Sequence, residues 1–263
     1  MKKPILLFRN YNWNKEERET ASQYFDLTNS RVNLKNRLVI GRFSTVPFYH
    51  ELQNDLKLQE SELINSTLEH QYIANFDYYY DIEDYTPKTY FDITHLPEQG
   101  PFFIKGRTNS KKHLGFNKTK ANNKKEAIEI QGKLLEDPEY EQQGIIYRKF
   151  VPLKIIEKSV INDHHFYNEW RFFFYKNELL CYGYYWVNAE NIPSNDQLPQ
   201  DAIDFAKKIA DIIKDRTNLF VVDIGQLESG EWIVIELNDG QQSGLSNCDP
   251  HEFYKNLAKA LKS

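Results

Sequence analysis

The chain lacks the features that mark secreted, zinc-binding or membrane-spanning proteins. Only two cysteines occur among 263 residues, and the spacing of Cys181 and Cys248 fits neither a zinc site nor a disulfide framework. Such low cysteine content is typical of a reducing compartment. No segment approaches the roughly 20 apolar residues that a membrane-spanning helix needs. The apolar stretch 4–8 is too short for a signal peptide and is followed by Arg9 and Asn10, so we predict a cytoplasmic protein.

An excess of positive charge is also absent. The formal net charge of -5 at pH 7 gives no global attraction to nucleic acids or anionic membranes. Hydrophobic residues make up 40% of the chain and aromatic residues 14%, as expected of a folded protein with a substantial core. We therefore expect neither a membrane nor a nucleic-acid partner, and the oligomeric state stays open.

Alternating strand-like and helix-like patterns predict a small α/β unit in the first hundred residues. The predicted elements are a strand at 4–8, a helix at 15–25, a strand at 37–43 and helical residues within 47–75 that are interrupted near 59–61. An aromatic run at 76–91 also carries carboxylates that would repel a phosphate backbone, which favours packing at a domain junction over base stacking. Proline and glycine at 96–101 then predict a domain boundary.

Beyond this boundary, strands outnumber helices. Strands are predicted at 102–105, 145–151, 154–160, 169–175 and 179–187, helices at 124–135, 201–215 and 250–261, and a hairpin at 220–237. The whole chain is therefore expected to be of the α+β class.

Polar side chains interrupt two apolar runs near the end of the chain. Asp223 lies in the run 220–225, and Glu236 and Asn238 lie two residues apart in the run 232–240. A short polar connection that contains glycine predicts a β-hairpin, which would bring the three side chains together. Oxygen ligands of this kind suit Mg²⁺. Solvated polar residues at strand ends are the alternative, but the apolar neighbours favour a metal site.

A basic loop follows the apolar run that ends at Lys105. Its glycines, hydroxyl and amide groups and cations suit a polyphosphate, although the spacing is not that of a Walker A loop. The candidate phosphate contacts are Lys105, Arg107, Ser110 and Lys111. Alone, such a loop is usually a solvated hairpin, whereas the predicted metal site downstream favours phosphate binding.

Two further strands carry candidate binding residues. The run 145–152 could line an adenine slot, and an ordinary core strand is equally consistent with it. Glu169 and Arg171 lie two residues apart on one face of an apolar strand, and buried charges need partners. An ion pair would supply them, as would a ribose hydroxyl for Glu169 and a phosphate or substrate carboxylate for Arg171.

The order of these features resembles the ATP-grasp superfamily, and Tyr147–Phe150 and Glu236–Gln241 resemble its R2K clade. The resemblance covers residue 102 to the carboxyl terminus. It implies an ATP-grasp fold, in which two α+β lobes grip ATP, preceded by a small α/β pre-ATP-grasp domain. The implied divisions are residues 1–99 for that first domain, 100–151 for the small lobe and 152–263 for the large lobe with the metal site.

The resemblance also implies where ATP binds. Lys105 would contact the phosphates, the loop 106–115 would close over them, and Glu169 would hold the ribose. The adenine hinge would consist of Arg148, Lys149, Phe150 and Val151. Two departures concern this part: Arg148 stands where many members have an acidic residue, and the loop has fewer glycines than in common ATP-grasp ligases.

Metal and catalytic roles follow from the same resemblance. Asp223, Glu236 and Asn238 would bind two Mg²⁺ ions, with Glu236 as the bridge. Lys105 and Arg171 would be the catalytic residues, with Arg171 facing the γ-phosphate or an acyl phosphate.

The implied activity is that of an ATP-dependent carboxylate–amine ligase. A carboxylate would take the γ-phosphate to form an acyl phosphate, and an amine would then displace phosphate. The acceptor pocket in this architecture is built from the amino-terminal domain and the loop after Asn238, and its substrates could be metabolites, peptides or proteins. Two other functions stay open: an ATP-binding regulatory module without turnover, and an ATP-dependent kinase or nucleic-acid end-modifying enzyme.

Overall fold

Three four-stranded sheets and one two-stranded sheet make up the described part of the chain. The computed structural model describes residues 2–9, 11–45, 48–108, 119–158 and 165–262. One four-stranded sheet belongs to the amino-terminal domain, and the other two lie in lobes on either side of a cleft. Every helix among these residues is too short or too polar to span a bilayer.

The amino-terminal domain is built on a parallel sheet with strand order β2-β1-β3-β4. Its elements are β1 (Lys3–Phe8), α1 (Lys15–Ala21), β2 (Asp26–Thr28), β3 (Arg37–Arg42), α2 (Tyr49–Lys57), β4 (Glu62–Leu63) and α3 (Thr67–Ala74). Ile5 and Leu7 pack against α2, whereas Leu6 and Phe8 pack against the carboxyl-terminal half of the chain. This burial on both faces explains the uninterrupted apolar run of β1.

The helices in this domain agree with the prediction in part. The helix predicted at 15–25 ends earlier, at Ala21. The interruption predicted near 59–61 is present between α2 and α3, and it contains the short strand β4, which pairs with β3. Helix α3 begins with a capping box: the Ser66 hydroxyl accepts from the Glu69 N–H, and the Glu69 carboxylate accepts from the Ser66 N–H.

The small lobe is an antiparallel sheet with strand order β5-β8-β6-β7. Its elements are β5 (Thr89–Tyr90), β6 (Gln99–Gly106), β7 (Lys120–Asn123), α4 (Lys124–Leu134), α5 (Pro138–Gln143) and β8 (Ile145–Lys149). Lys105 lies next to the last residue of β6. The division at residue 99 stays a prediction, although Thr89–Tyr90 already pairs with β8.

The large lobe is a second antiparallel sheet, with strand order β12-β11-β13-β14. A two-stranded sheet of β9 (Ile155–Glu157) and β10 (Phe166–Tyr167) precedes β11 (Glu169–Tyr175), β12 (Glu178–Tyr184), α6 (Gln200–Ile213), β13 (Leu219–Gln226), β14 (Trp232–Asp239) and α7 (Pro250–Ala260). Phe172 and Phe174 pack toward α6, and Phe173 packs toward α7. The sheet is therefore covered on both faces, which accounts for the apolar run of β11.

The aromatic run at 76–91 joins the amino-terminal domain to the lobes. Phe76, Tyr78 and Tyr79 are buried in the same core cluster as Phe172 and the side chains of α6. Their burial agrees with the predicted role in packing. It also fixes the segment that precedes the small lobe.

Candidate active site

The predicted hairpin is present and brings its three polar side chains together. Strands β13 and β14 pair antiparallel, with Asp223 directly opposite Glu236. Nδ2 of Asn238 donates to Oδ2 of Asp223 at 3.1 Å and to Oε1 of Glu236 at 3.2 Å. The three side chains therefore share one face of the sheet.

Two buried cations neutralise the carboxylates of this cluster. Nζ of Lys105, on the small lobe, donates to Oε2 of Glu236, on the large lobe. Arg171 makes a two-pronged contact with Asp223: Nε lies 2.8 Å from Oδ1, and Nη2 lies 2.7 Å from Oδ2. Paired N–H donors of this kind bind a carboxylate strongly and with fixed geometry. Each acid thus has its own cation, and one of the two pairs connects the lobes.

Arg171 is held by further contacts. Nη1 donates to the carbonyl of Gly244 at 2.8 Å, and the guanidinium carbon lies 4.9 Å from the ring centre of Tyr185. Burial disfavours the charged form, but attraction to Asp223 outweighs it and raises the pKa of Arg171. The guanidinium therefore stays charged, and its contact with a phosphoryl group stays a prediction.

The chemistry of the cluster fits Mg²⁺. Asp223, Glu236 and Asn238 offer carboxylate and amide oxygens, which are hard ligands. Asn238 would have to turn its amide oxygen toward the ion, because its nitrogen faces both acids. Among the described residues, no group of three or more His, Cys, Asp or Glu side chains is arranged to hold a metal. An ion here would therefore have two carboxylates and one amide from the protein, with other positions left for phosphate or water.

An apolar cleft between the lobes ends at this cluster. Six of the predicted nucleotide contacts line it together with Glu236: Lys105, Arg148, Lys149, Phe150, Val151 and Glu169. Glu169 is 3% exposed, and Lys105 is 2% exposed. Apolar walls with a few placed polar groups are typical of small-molecule sites. The structure brings these residues together, and their contact with ATP stays a prediction.

Two backbone N–H groups of the predicted hinge donate hydrogen bonds within the protein. The N–H of Lys149 donates to the Lys88 carbonyl at 2.8 Å, and the N–H of Phe150 donates to the Pro101 carbonyl at 3.0 Å. These two donors are therefore not available to a bound base. If a base binds here, the N–H of Val151 has no backbone partner among the described residues and could donate to it.

Arg148 connects three segments of the chain. Nη2 donates to the hydroxyl of Thr86 at 2.6 Å, Nε donates to the hydroxyl of Thr89 at 3.3 Å, and Nη1 donates to the carbonyl of Ile235 on β14. Burial lowers the pKa of Arg148, although attraction to Tyr78 and Glu236 opposes this. Arg148 lines the cleft, and its contacts tie β8 to the large lobe.

The other predicted phosphate contacts are less informative. The N–H of Arg107 donates to the Gly144 carbonyl at 3.1 Å, and its guanidinium carbon lies 5.9 Å from the ring centre of Phe91. Arg107 does not belong to the described lining of the cleft. Ser110 and Lys111 lie outside the described residues.

Several residues that line the cleft were not among the predicted site residues. They are Pro87, Phe103, Leu153, Tyr167, Trp186 and Ile235. Phe103 and Tyr167 lie two residues before Lys105 and Glu169, so strand periodicity could have identified them as same-face neighbours. Pro87 and Trp186 carry no such local signal.

Several solved structures have the same fold as this chain. D-cycloserine synthetase DcsG is 12% identical, with a TM-score of 0.57 over 98% of this chain and 99% of that chain. D-alanyl-alanine synthetase A from Vibrio cholerae is 11% identical, with a TM-score of 0.57 over 99% and 98%. The ATP-grasp ligase PsnB, in complex with a minimal precursor, is 10% identical, with a TM-score of 0.55 over 100% and 99%. At these identities the likeness shows the fold alone.

Sequence comparison identifies the family. No curated protein gives a significant match. A family model described as ATP-grasp domain, R2K clade family 3, matches residues 94–257, which is more than half of the chain. The α+β fold with two lobes around a cleft agrees with this match and confirms the resemblance inferred from the sequence. The chain therefore belongs to family 3 of the R2K clade of ATP-grasp domain proteins.

Proposed function

We propose that this protein is an ATP-dependent ligase that activates a carboxylate as an acyl phosphate and joins it to an amine. The observation that carries the proposal is the apolar cleft that ends at Lys105 and at the Asp223, Glu236 and Asn238 cluster. The adenosine part of ATP would lie between the apolar walls, and its phosphates would reach the cluster. D-cycloserine synthetase, D-alanyl-alanine synthetase and the ligase PsnB have the same fold.

The chemistry follows from the poor reactivity of a carboxylate toward amines. In the first step a carboxylate oxygen attacks the γ-phosphorus, and the bond from that phosphorus to ADP breaks. In the second step an amine attacks the acyl carbon, and phosphate leaves. Lys105 and Arg171 would position and neutralise the transferring phosphoryl group.

The metal would be held by the three side chains of the hairpin. When bound, Mg²⁺ would neutralise charge on the phosphate oxygens. Lys105 and Arg171 contact the same carboxylates, so their positive charges would lie near the phosphates, where the proposed reaction needs them.

A turnover assay tests the proposal. The purified protein would be incubated with ATP, Mg²⁺ and pooled carboxylates and amines, and nucleotide products and coupled products would be measured by chromatography and mass spectrometry. We expect ADP, phosphate and an amide that forms only when a carboxylate and an amine are both present.

Other outcomes would contradict the ligase. AMP release would indicate nucleotidyl transfer, and a stable phosphorylated product without an amide would indicate a kinase. ATP binding without turnover across the whole panel would indicate a regulatory module.

A further inference from the structure

A second cavity, of about 160 Å³, opens beside Asn238. Ser44 and His70 of the amino-terminal domain line it, together with Thr108 from the end of the small-lobe strand and Gln242 from the loop after β14. The apolar cleft between the lobes, in which we propose that ATP binds, is called the nucleotide cleft below. It reaches Glu236, and the second cavity reaches Asn238, two residues further along the same face of β14. A molecule in the cavity would therefore lie next to the proposed phosphoryl-transfer site.

His70 is held rigidly at the wall of this cavity. Its ring stacks on Tyr49, with 3.9 Å between ring centres and 4° between ring planes. Nδ1 lies 2.9 Å from Oδ2 of Asp239, and the side chain is 10% exposed. Nε2, the other ring nitrogen, has no hydrogen-bond partner within the described residues. The imidazole is therefore fixed by one nitrogen while the other is left for a ligand.

The contacts of Asp239 decide the tautomer of His70. Oδ1 of Asp239 accepts from Nδ2 of Asn65 at 3.0 Å and from the N–H of Gln241 at 2.9 Å, which leaves Oδ2 for the imidazole. The proton of the His70 ring is assigned to Nδ1 or Nε2 from these hydrogen-bond partners. The amide donor Nε2 of Gln242 also lies 3.1 Å from Nδ1, but the carboxylate is closer and is the stronger, charged partner, so we place the proton on Nδ1. In the neutral form of the ring, Nε2 is then the acceptor.

The charge of the lining indicates what the cavity binds. Its described residues include the Asp239 carboxylate and neither lysine nor arginine. The nucleotide cleft, in contrast, contains Lys105, Arg148 and Lys149. A carboxylate substrate would find no cationic partner in the described lining of the second cavity, whereas an ammonium group would be attracted by Asp239 and by the neutral acceptors around it.

We propose that this cavity binds the amine of the second substrate and that His70 is the base that deprotonates it. The proposal rests on the ligase function proposed above. An N–H bond of the ammonium breaks, and its proton passes to Nε2 of His70. The released nitrogen lone pair forms the bond to the acyl carbon, and the acyl carbon–oxygen bond to phosphate breaks with its electron pair on phosphate. The second proton of the nitrogen goes to the departing phosphate.

Separate assays of acyl-phosphate formation and amide formation test the role of His70. Hydroxylamine is a nucleophile that needs no base at neutral pH, so it reports the acyl phosphate as a hydroxamate. We expect His70→Gln to form hydroxamate from the carboxylate substrate at close to the wild-type rate. Amide formation with the amine substrate should fall by about 10²–10⁴-fold, the usual contribution of general base catalysis. His50→Gln, at an exposed histidine on α2, is the matched control.

Two results of this assay would overturn the assignment. Equal loss of hydroxamate and amide would make His70 a structural or ATP-binding residue. Unchanged amide formation would show that no base is needed at this position. Circular dichroism and the affinity for a non-hydrolysable ATP analogue would establish that the variant is folded.

A binding measurement tests the amine site without any turnover. Glycinamide, an amine without a carboxylate, would be titrated into the wild-type protein with Mg²⁺ and the ATP analogue, and imidazole nitrogens would be followed by ¹⁵N NMR. We expect the Nε2 resonance of His70 to shift, and the resonances of His50 to stay in place. No shift at His70 would overturn the amine site. Absence of hydroxamate from every carboxylate in the wild type would instead contradict the proposed ligase function, independently of the NMR result.

Discussion

The nucleotide cleft and the second cavity adjoin along β14 but are built from different parts of the chain. The cleft takes its polar groups from β6, β8, β11 and β14, and these strands lie within the residues 94–257 that match the family. The second cavity takes His70 and Ser44 from the amino-terminal domain, outside that match. The strands that carry the polar groups of the nucleotide cleft thus lie within the part that matches the family, whereas the cavity that we propose for the amine also takes side chains from outside that part.

The loop after β14 shows how the two regions are joined. Arg42 donates from Nη1 to the carbonyl of Gly240 at 2.6 Å. Gln241 accepts from the N–H of Gly41 at 3.0 Å and donates to the hydroxyl of Tyr49 at 2.6 Å. Because β14 ends at Asp239, one residue after Asn238, these contacts of the amino-terminal domain hold the chain next to the proposed metal ligand.

The largest expected effect concerns the nucleotide cleft. Glu236→Gln keeps the size of the side chain but removes the charge that pairs with Lys105 and would hold Mg²⁺. We expect Mg²⁺-dependent ATP turnover to fall by about 10³-fold or more, as when a preorganised electrostatic group is removed. Steady-state ADP release measures it. Glu231→Gln, at an exposed position before the same strand, is the control, and normal turnover in Glu236→Gln would refute the site assignment.

A smaller effect on turnover is expected from a substitution of Arg171, the partner of Asp223. Arg171→Gln retains a hydrogen-bond donor but removes the charge near the proposed γ-phosphate position. We expect kcat to fall by about 10²-fold, while the KM for ATP changes little, because the lost interaction belongs to the transition state. Steady-state kinetics and calorimetric binding of an ATP analogue separate the two quantities. Equal losses in kcat and affinity would make Arg171 a ground-state ATP contact.

The third effect is on stability and concerns the connection between the lobes. Arg148→Met removes donors from Thr86, Thr89 and the Ile235 carbonyl in a buried position. We expect the free energy of unfolding to fall by about 3 kcal/mol, because buried partners are left unpaired. Urea unfolding measures it, with Lys125→Met at an exposed helical position as the control. An unchanged stability would show that Arg148 does not hold the lobes.

The smallest effect concerns the amino-terminal domain and depends on pH. Oε1 of Glu17 accepts from Nη2 of Arg42 at 2.7 Å and from the hydroxyl of Tyr254 at 2.6 Å. Burial raises the pKa of Glu17, but Arg42 and Tyr254 outweigh it and lower the pKa below the ordinary value of 4.5. The pKa of Glu17 is lower in the folded protein than in the unfolded one. Its ionised carboxylate therefore contributes fully to the free energy of unfolding above the unfolded pKa, and this contribution is lost as the pH falls through the folded pKa.

Glu17→Gln should therefore destabilise the protein at pH 7 and matter less in acid. We expect a loss of about 1.5 kcal/mol at pH 7, the size of a hydrogen bond to a charged group. Urea unfolding at several pH values below 7 would show the difference from the wild type shrinking once Glu17 is protonated. A difference independent of pH would mean that the charge of Glu17 does not contribute.

Strand periodicity and apolar context predicted much of the nucleotide cleft. The hairpin of Asp223 and Glu236 and the strand that carries Glu169 and Arg171 are local patterns, and both are present. The interruption of the helical region 47–75 was predicted near 59–61, but strand β4 was not, because β4 is extended only through pairing with β3. Short strands of this kind have little propensity of their own, and their partners are distant in the sequence.

By itself the sequence determined the mixed fold, the family and the polar residues placed in apolar strands, because a charge in such a run needs a partner wherever it is buried. Only the tertiary structure decided which partner each charge has. Lys105 pairs with Glu236 across 131 positions, and His70 meets Asp239 across 169. These contacts depend on how the sheets and the amino-terminal domain pack against one another. No local pattern records that packing, which is why His70 and the other residues that line the cavity beside Asn238 could be identified only in the folded chain.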